Sequence, residues 1–246
     1  MNKLKIIERY RKLDSATIFG GVRAVLITKT KNEYNTASGY EKTFMKGVNN
    51  QTPGKVLVGF ARTLRMVPPR LDIINDKPAS ENSPEFEAMS SCTEENVLVI
   101  DAMRFHHASV GGDVKFLNLY MNKAEGVVTD GAIRDLNEVK KYNFKIFSAG
   151  RTGSIGIPDV WPYEANVTIS CGEAVVRPED LIVGDDDGVV VVPNFIIIEV
   201  LNWCEKHQKD EKTIKDLALK ENVSPGKYYN PEFFKKLNKL ENENEL

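Results

Sequence analysis

The sequence predicts an α/β fold: one domain that ends in a charged helical extension. Three observations predict it. Residues 96–101 form a buried-strand pattern, residues 113–123 a helical one and residues 126–130 a second strand, which together make a βαβ unit with a right-handed crossover. Downstream, short apolar segments alternate with Gly, Pro and Asp, as in a β-rich half. From Phe195 onwards the pattern is helical.

The first half begins with two predicted helices. Residues 3–13 are amphipathic, and Asp14-Ser15 offers a cap for a second helix from residue 16, which Gly20-Gly21 is expected to limit. Residues 30–54 are polar, whereas 55–65 have the β-branched density of a strand.

Pro68-Pro69 is expected to end that strand, and residues 72–82 are predicted as a loop. Ser83-Pro84-Glu85 then supplies an N-cap, a proline at the first helical position and an early acid, so a short helix should follow.

The second half is predicted to contain strands at 145–148, 165–169, 174–176 and 188–193. A helix is predicted from Phe195 to about Glu221, with Glu211/Lys215 at the favourable i,i+4 spacing. A last helix should begin near Asn230. We therefore divide the chain into a main domain at 1–200 and a C-terminal charged helical extension at 201–246.

Composition limits the function classes. The chain has 246 residues, a formal charge of −2 and 41% hydrophobic residues, so no overall basic field draws it to nucleic acid. The three cysteines are widely spaced, which gives neither a disulfide framework nor a zinc motif. Neither a signal peptide nor a run of roughly 18 apolar residues occurs. We expect a cytoplasmic protein with no nucleic-acid or membrane partner.

Gly111-Gly112-Asp113-Val114 lies where the βαβ helix begins. Glycines there let a ligand approach the backbone, and the first-turn amides of a helix bind anions. The alternative is an ordinary tight turn with Asp113 as the helix cap.

Arg134-Asp135 follows the second strand of the same unit. Because ligands bind at the carboxyl ends of parallel strands, both motifs should meet at one sheet edge. Arginine can hold a carboxylate through two hydrogen bonds, and Asp is a hard oxygen ligand for Mg²⁺ or Mn²⁺. The alternative is an Arg134–Asp135 pair that caps the next helix.

The pattern of an acid, twenty residues, then Arg-Asp-x-x-acid resembles the RraA-like family, which includes the 4-hydroxy-4-methyl-2-oxoglutarate/4-carboxy-4-hydroxy-2-oxoadipate aldolases. Here the matching residues are Asp113, Arg134, Asp135 and Glu138. Residues 126–131 and 177–193 are also similar. The resemblance implies a swivelling α-β-β-α sandwich, assembled as a homotrimer or homohexamer with sites between subunits.

The resemblance also implies the site. A divalent metal, Mg²⁺ or Mn²⁺, would be held by Asp135 and mostly by waters, with Arg134 contacting the substrate. Gly112, Asp113, Val114 and Lys115 would supply the substrate-binding loop, and Asp113 would position a water that can accept the substrate hydroxyl proton. Metal and Arg134 would stabilise the enolate, so no lysine Schiff base is required.

The activity expected from the resemblance is a lyase that cleaves a 4-hydroxy-2-oxo di- or tricarboxylate to release pyruvate, with oxaloacetate decarboxylase activity. The partner would be a small 2-oxo acid. The alternative is a regulatory protein-binding module, because the family includes a ribonuclease inhibitor; retention of Asp135 favours the enzyme. A methyltransferase is disfavoured because no glycine-rich nucleoside loop is present.

Three other motifs rank lower as sites. His106-His107 lacks a third Cys or His ligand. Residues 185–188 lack the register of a calcium loop. Trp161-Pro162-Tyr163 is expected to pack a loop, with ligand contact as the alternative.

Overall fold

The structure is a computed structural model that describes residues 2–30 and 39–244. In those ranges the helices are α1 (Lys3–Tyr10), α2 (Ser15–Lys29), α3 (Leu71–Asp76), α4 (Pro84–Ser90), α5 (Asp113–Met121), α6 (Leu136–Val139), α7 (Ile197–Glu221) and α8 (Pro231–Asn244). The strands are β1 (Phe44–Met45), β2 (Asn49–Asn50), β3 (Leu57–Val67), β4 (Asn96–Asp101), β5 (Ser109–Gly111), β6 (Gly126–Ile133), β7 (Lys145–Arg151), β8 (Trp161–Ala165), β9 (Ile169–Cys171), β10 (Ala174–Val176), β11 (Leu181–Asp185) and β12 (Gly188–Val192).

One mixed sheet organises the chain. Its order is β1-β12-β11-β3-β4-β6-β7-β2, with β5 beside β6 and β8 beside β3, while β9 and β10 form a separate antiparallel hairpin. Strands β3, β4, β6 and β7 are mutually parallel. The predicted βαβ unit is confirmed as β4-α5-β6, with the additional strand β5 before the helix. Strand β6 continues to Ile133, beyond the predicted end at residue 130.

The centre of the sheet is buried on both faces. Along β4, Leu98 and Ile100 pack with Phe116 of α5, whereas Val97 and Val99 belong to the cluster that includes the β9–β10 hairpin. Successive residues of a strand point to opposite faces, so a two-sided core needs a continuous apolar run. This is why the β4 segment could be recognised from sequence.

A third cluster joins the two ends of the chain. Helices α1, α2 and α7 pack together over β3, β11 and β12. The fold is therefore α/β with a helical C-terminal region, as predicted. The domain boundary predicted at residue 200 lies inside α7.

The prediction that Gly20-Gly21 limits the second helix was wrong, because α2 runs through both glycines. A Cβ atom at Gly21 would lie 2.6 Å from Cys204 Sγ, so glycine lets α2 approach α7 closely. Tertiary packing of this kind outweighs the low helix propensity of glycine. The predicted cap is confirmed: Asp14 accepts a hydrogen bond from the Thr17 amide at 2.7 Å.

Two further predictions differ from the structure. The segment 72–82 is not all loop, because it contains most of α3. The segment 165–169, predicted as one strand, instead holds the last residue of β8, a connection at 166–168 and the first residue of β9. Trp161-Pro162-Tyr163 lies in β8, which pairs with β3. Of the polar stretch 30–54, residues 31–38 lie outside the described residues. Among the described helices, none combines the length and apolar character needed to cross a bilayer.

Candidate functional site

Three parallel strands end side by side and build the site. Gly111 of β5 pairs in register with Ile133 of β6, which pairs with Arg151 of β7. The Arg134 amide donates to the Gly111 carbonyl at 3.1 Å. The predicted residues on the two loops therefore reach one edge of the sheet, the edge at which open α/β sheets bind ligands.

Gly112 is where the two loops touch. A Cβ atom there would lie 2.5 Å from Asp135 Oδ2 and 2.9 Å from Arg134 Cγ. Gly112 is also the N-cap of α5, and the first helical bond is donated by the Phe116 amide to its carbonyl. The amides of residues 113–115 precede that bond, so they are the donors that a helix start offers to an anion.

Asp135 has a left-handed backbone, with φ of 54°. This conformation is uncommon for residues other than glycine, although Asp is enriched among the exceptions, and such residues cluster at functional sites. Asp135 occupies the N-cap position of α6, but its side chain makes no capping hydrogen bond. Its carboxylate is 42% exposed. The capping alternative for Asp135 is therefore not what the structure contains.

Arg134 lies beside this carboxylate. Its Nε atom is 3.5 Å from Asp135 Oδ2, and Nε is buried without a hydrogen-bond partner among the described residues. Buried polar atoms without a partner are rare and call for an explanation. Arg134 Nε thus has an ion-pair neighbour in Asp135 but no hydrogen-bond acceptor among the described residues, so this donor could still bind an oxygen of an anionic ligand.

Asp113 is the first residue of α5, and its Oδ1 accepts a hydrogen bond from Tyr142 Oη at 2.5 Å. This bond to a carboxylate favours the neutral phenol, which raises the pKa of Tyr142 to about 12. The Tyr142 ring also stacks on Tyr120, with ring centroids 5.1 Å apart. Sequence analysis did not single out Tyr142, because it lies 29 residues after Asp113 without any local motif.

Two clefts flank Asp135. The Asp113 cleft, of about 770 Å³, is lined by Asp113, Asp135 and Arg151 among others. The Arg134 cavity, of about 520 Å³, is lined by Gly112, Lys115, Arg134 and Asp135 among others. Val114 and Asp135 belong to both clefts. Asp113 thus lines one cleft and Arg134 the other, and the two clefts share Val114 and Asp135.

The Arg134 cavity has a second polar wall that sequence analysis missed. Ser83 and Glu85 line it from the start of α4, and Lys115 Nζ lies 2.9 Å from Glu85 Oε1. In the sequence these two residues look like an ordinary helix start. Trp161 also lines this cavity and does not merely pack a loop.

Asp135, the predicted metal ligand, presents a partly exposed carboxylate that could hold a metal ion. Within the described ranges no group of three or more His, Cys, Asp or Glu side chains is close enough to hold an ion. One carboxylate completed by waters is, however, a normal arrangement for Mg²⁺. His107 Nε2, by contrast, lies 3.3 Å from Asp159 Oδ2, and the His107 side chain is exposed.

Asp130, at the end of the predicted β6 segment, has a structural role. It is 1% exposed and accepts hydrogen bonds from the amides of Ala102 and Gly172 at 2.7 and 3.1 Å. Burial raises the pKa of its carboxyl. Through these two hydrogen bonds Asp130 links β6 to the loop after β4 and to the β9–β10 hairpin.

Comparisons of the sequence with known proteins identify one family. Residues 10–191 match the sequence model of the RraA-like family, described as Aldolase/RraA. A protein of Halalkalibacterium halodurans named "Putative 4-hydroxy-4-methyl-2-oxoglutarate aldolase" is 34% identical over 171 residues, which cover 68% of this chain and 73% of that protein.

Solved structures share the fold. Streptomyces coelicolor RraAS2, titled an unusual member of the RNase ES inhibitor RraA protein family, superposes with a TM-score of 0.72 at 23% identity, over 86% of this chain and 96% of that one. An uncharacterized protein from Pseudomonas syringae superposes with a TM-score of 0.69 at 22% identity, over 91% and 96% of the two chains.

Proposed function

Because the chain belongs to the RraA-like family, we propose that it is a metal-dependent lyase that cleaves a 4-hydroxy-2-oxo acid to release pyruvate and also decarboxylates oxaloacetate. The di- and tricarboxylates of the aldolase reaction are the first substrates to test. The observation that carries the proposal is that two side chains lie together at this edge: Asp135, whose carboxylate does not cap a helix, and Arg134, whose Nε has no hydrogen-bond partner among the described residues.

The geometry suits the binding of a 2-oxo acid. Arg134 and the amides at the start of α5 supply positive charge and donors on one side of the Arg134 cavity. A carboxylate held there brings its 2-oxo group towards Asp135. Preorganised donors of this kind stabilise negative charge that develops on substrate oxygens.

Asp135 fits Mg²⁺ or Mn²⁺ as a hard oxygen ligand with room for waters. A divalent ion bound there would supply the positive charge that polarises the 2-oxo group.

Asp113 is the proton acceptor in this proposal. In the aldol cleavage the C4 hydroxyl loses its proton, the C3–C4 bond breaks, C4 becomes a carbonyl carbon and the electron pair passes to C3 of pyruvate, which is then protonated. The Asp113 carboxylate accepts the hydroxyl proton through a water, and Tyr142 holds that carboxylate in place. Tyr142 is thus a positioning residue.

We also propose that the chain assembles as a trimer or hexamer. Val114, Leu117 and Met121 lie at helical spacing on α5 and are 82%, 40% and 72% exposed. Apolar side chains three and four residues apart share one helix face, and such exposed patches mark interaction sites. Light scattering should therefore find an oligomer; a monomer with full activity would contradict this assembly.

The main experiment measures pyruvate release from oxaloacetate and from a panel of 4-hydroxy-2-oxo acids, with Mg²⁺ or Mn²⁺ and with EDTA. We expect turnover with metal and none with EDTA. Asp135→Asn should lose activity, whereas Asp187→Asn, at an exposed carboxylate in the β11–β12 turn, should not. Full activity in EDTA, or in Asp135→Asn, would refute the metal mechanism.

The regulatory protein-binding module remains the alternative function. It predicts no turnover of any panel member with either metal. The same assay therefore separates the two functions.

A further inference from the structure

Two residues that line the Arg134 cavity each carry a polar atom without a hydrogen-bond partner among the described residues. Ser83 is 4% exposed and Glu85 is 6% exposed, and both residues line the cavity. Ser83 Oγ and Glu85 Oε2 are buried without a hydrogen-bond partner among the described residues. An unpaired buried group costs about 1–3 kcal/mol, so two on one wall indicate a ligand group that pairs with them.

The Ser83 hydroxyl is not used to cap the helix that it precedes. Ser83 stands at the N-cap of α4, but its hydroxyl makes no capping bond. Its backbone carbonyl instead accepts from the amides of Phe86 and Glu87, each at 3.0 Å. A capping side chain usually stabilises a helix by about 1 kcal/mol. The free hydroxyl therefore remains available for another purpose.

The two carboxylate oxygens of Glu85 have different surroundings. Oε1 is paired with Lys115 Nζ at 2.9 Å, and Oε2 is the unpaired atom. This pairing offsets the charge of Lys115, one of the residues that we expected to bind substrate. The start of α4 is thereby joined to the start of α5, and both lie beside Arg134 in the same cavity.

The hydrogen-bonding capacity of Ser83 and Glu85 favours a ligand that presents a hydroxyl group. An ionised carboxylate only accepts hydrogen bonds, so Glu85 Oε2 needs a donor, whereas Ser83 Oγ can both donate and accept. A second substrate carboxylate has no proton to donate and would be repelled by Glu85. Much of the remaining wall is apolar, formed by Met66, Val110, Val160 and Trp161 among others. An uncharged, hydroxylated carbon chain fits both properties.

We propose that Ser83 and Glu85 set the substrate class by binding a hydroxyl group beyond the scissile bond. The substrate would be a 4-hydroxy-2-oxo monocarboxylate with further hydroxyls, that is, an aldol adduct of pyruvate and a hydroxyaldehyde. This inference rests on the proposed function. The C3–C4 bond is cleaved and the electron pair passes to C3 as described above, and only the group attached to C4 differs: here it is a hydroxylated carbon chain. The second product is the hydroxyaldehyde.

Lys77 also lines the cavity, so a distal carboxylate bound by its ammonium group is the competing arrangement. The two arrangements differ in which substrate the wild type prefers. They also differ in the effect of removing the Ser83 hydroxyl.

The test compares kcat/KM for pyruvate release from three substrates: a 3-deoxy-2-oxohexonate, 4-hydroxy-4-methyl-2-oxoglutarate and oxaloacetate. The variants are Ser83→Ala and Glu85→Gln, and Glu87→Gln is the matched control because Glu87 is exposed on the same helix. We expect the wild type to prefer the hexonate. Each variant should lose at least about tenfold more activity with the hexonate than with oxaloacetate, and the control should behave as the wild type.

Three results would overturn the inference: a wild-type preference for the oxoglutarate, equal losses with all substrates, or no loss in either variant. Each of them leaves the lyase function intact, because the wild type still turns over. A wild type inactive on all three substrates with Mg²⁺ and Mn²⁺ would instead refute the proposed function and the inference with it. Ser83→Ala removes one atom and keeps the Glu85–Lys115 pair, so it remains informative if Glu85→Gln does not fold.

Discussion

The contact of Gly112 with the opposite loop gives a direct test of the site. In Gly112→Ala, the new Cβ would lie 2.5 Å from Asp135 Oδ2. Non-bonded heavy atoms normally approach to about 3.5 Å, so this oxygen must retreat by about 1 Å. Arg134 Cγ, at 2.9 Å, must also give way. The substitution therefore displaces two predicted site residues without altering either of them.

A misplacement of about 1 Å can cost about 10²-fold in rate, equivalent to about 2.7 kcal/mol of transition-state stabilisation. Stability should change little. The backbone of Gly112 is extended, at φ −152°, and is open to alanine, and the displaced Asp135 oxygen is the end of a side chain. For a chain of this size, 1 kcal/mol corresponds to about 2–4 °C in Tm. We therefore expect the Tm of Gly112→Ala to differ from the wild-type Tm by no more than about 2–4 °C.

The assay pairs kcat/KM for pyruvate release with thermal unfolding. Gly20→Ala is the matched control, because its Cβ would meet Trp203 at an ordinary 3.6 Å in α2, away from the site. Wild-type kinetics in Gly112→Ala would refute the expectation that displacing Asp135 and Arg134 lowers activity. A fall in Tm on the order of 10 °C, far more than the shift expected above, would make Gly112 a stability residue and also refute it.

Three other predictions follow from the same geometry. Arg134→Lys should lower kcat/KM by about 10²-fold, since lysine cannot form a planar two-donor clamp; near-wild-type kinetics would mean that Arg134 is structural. Asp113→Asn should suppress aldol cleavage much more than oxaloacetate decarboxylation, which needs no base at the C4 hydroxyl; equal losses would assign Asp113 to loop organisation. In an absorbance titration, Tyr142 should ionise with a pKa of about 12, and Asp113→Asn should bring this pKa down towards the ordinary value of about 10, because the amide carries no charge that disfavours phenolate; an unchanged curve would contradict this coupling.

The sequence predicts correctly those elements in which the pattern of apolar residues along the chain corresponds to the faces that are buried. Strand β4 is apolar at successive positions because both its faces are covered, and α5 follows a glycine turn. Helix α2 was predicted too short, since the packing of Gly21 on Cys204 depends on residues far apart in sequence. Strand β8 was missed because Pro162 argues against a strand and is tolerated mainly at an edge.

The candidate site was predictable where its residues follow strand ends. Asp113, Arg134 and Asp135 come directly after parallel strands, so topology alone places them at one edge. Ser83 and Glu85 could not be found in this way, because their sequence matches an ordinary helix start. Their unpaired atoms become informative only when α4 is seen packed beside α5 and the cavity.

The left-handed backbone of Asp135 restricts which residues evolution can use there. Asp and Asn adopt this conformation more readily than longer side chains, and glycine does so freely. Glutamate offers the same oxygen ligands but would add backbone strain and reach further into the cavity. Substitutions at this position should therefore pass through Asn or Gly, which keep the turn and remove the negative charge. If Asp135 holds a metal ion as proposed above, relatives that lack this chemistry would carry Asn or Gly here, and this one alignment position would tell the two kinds apart.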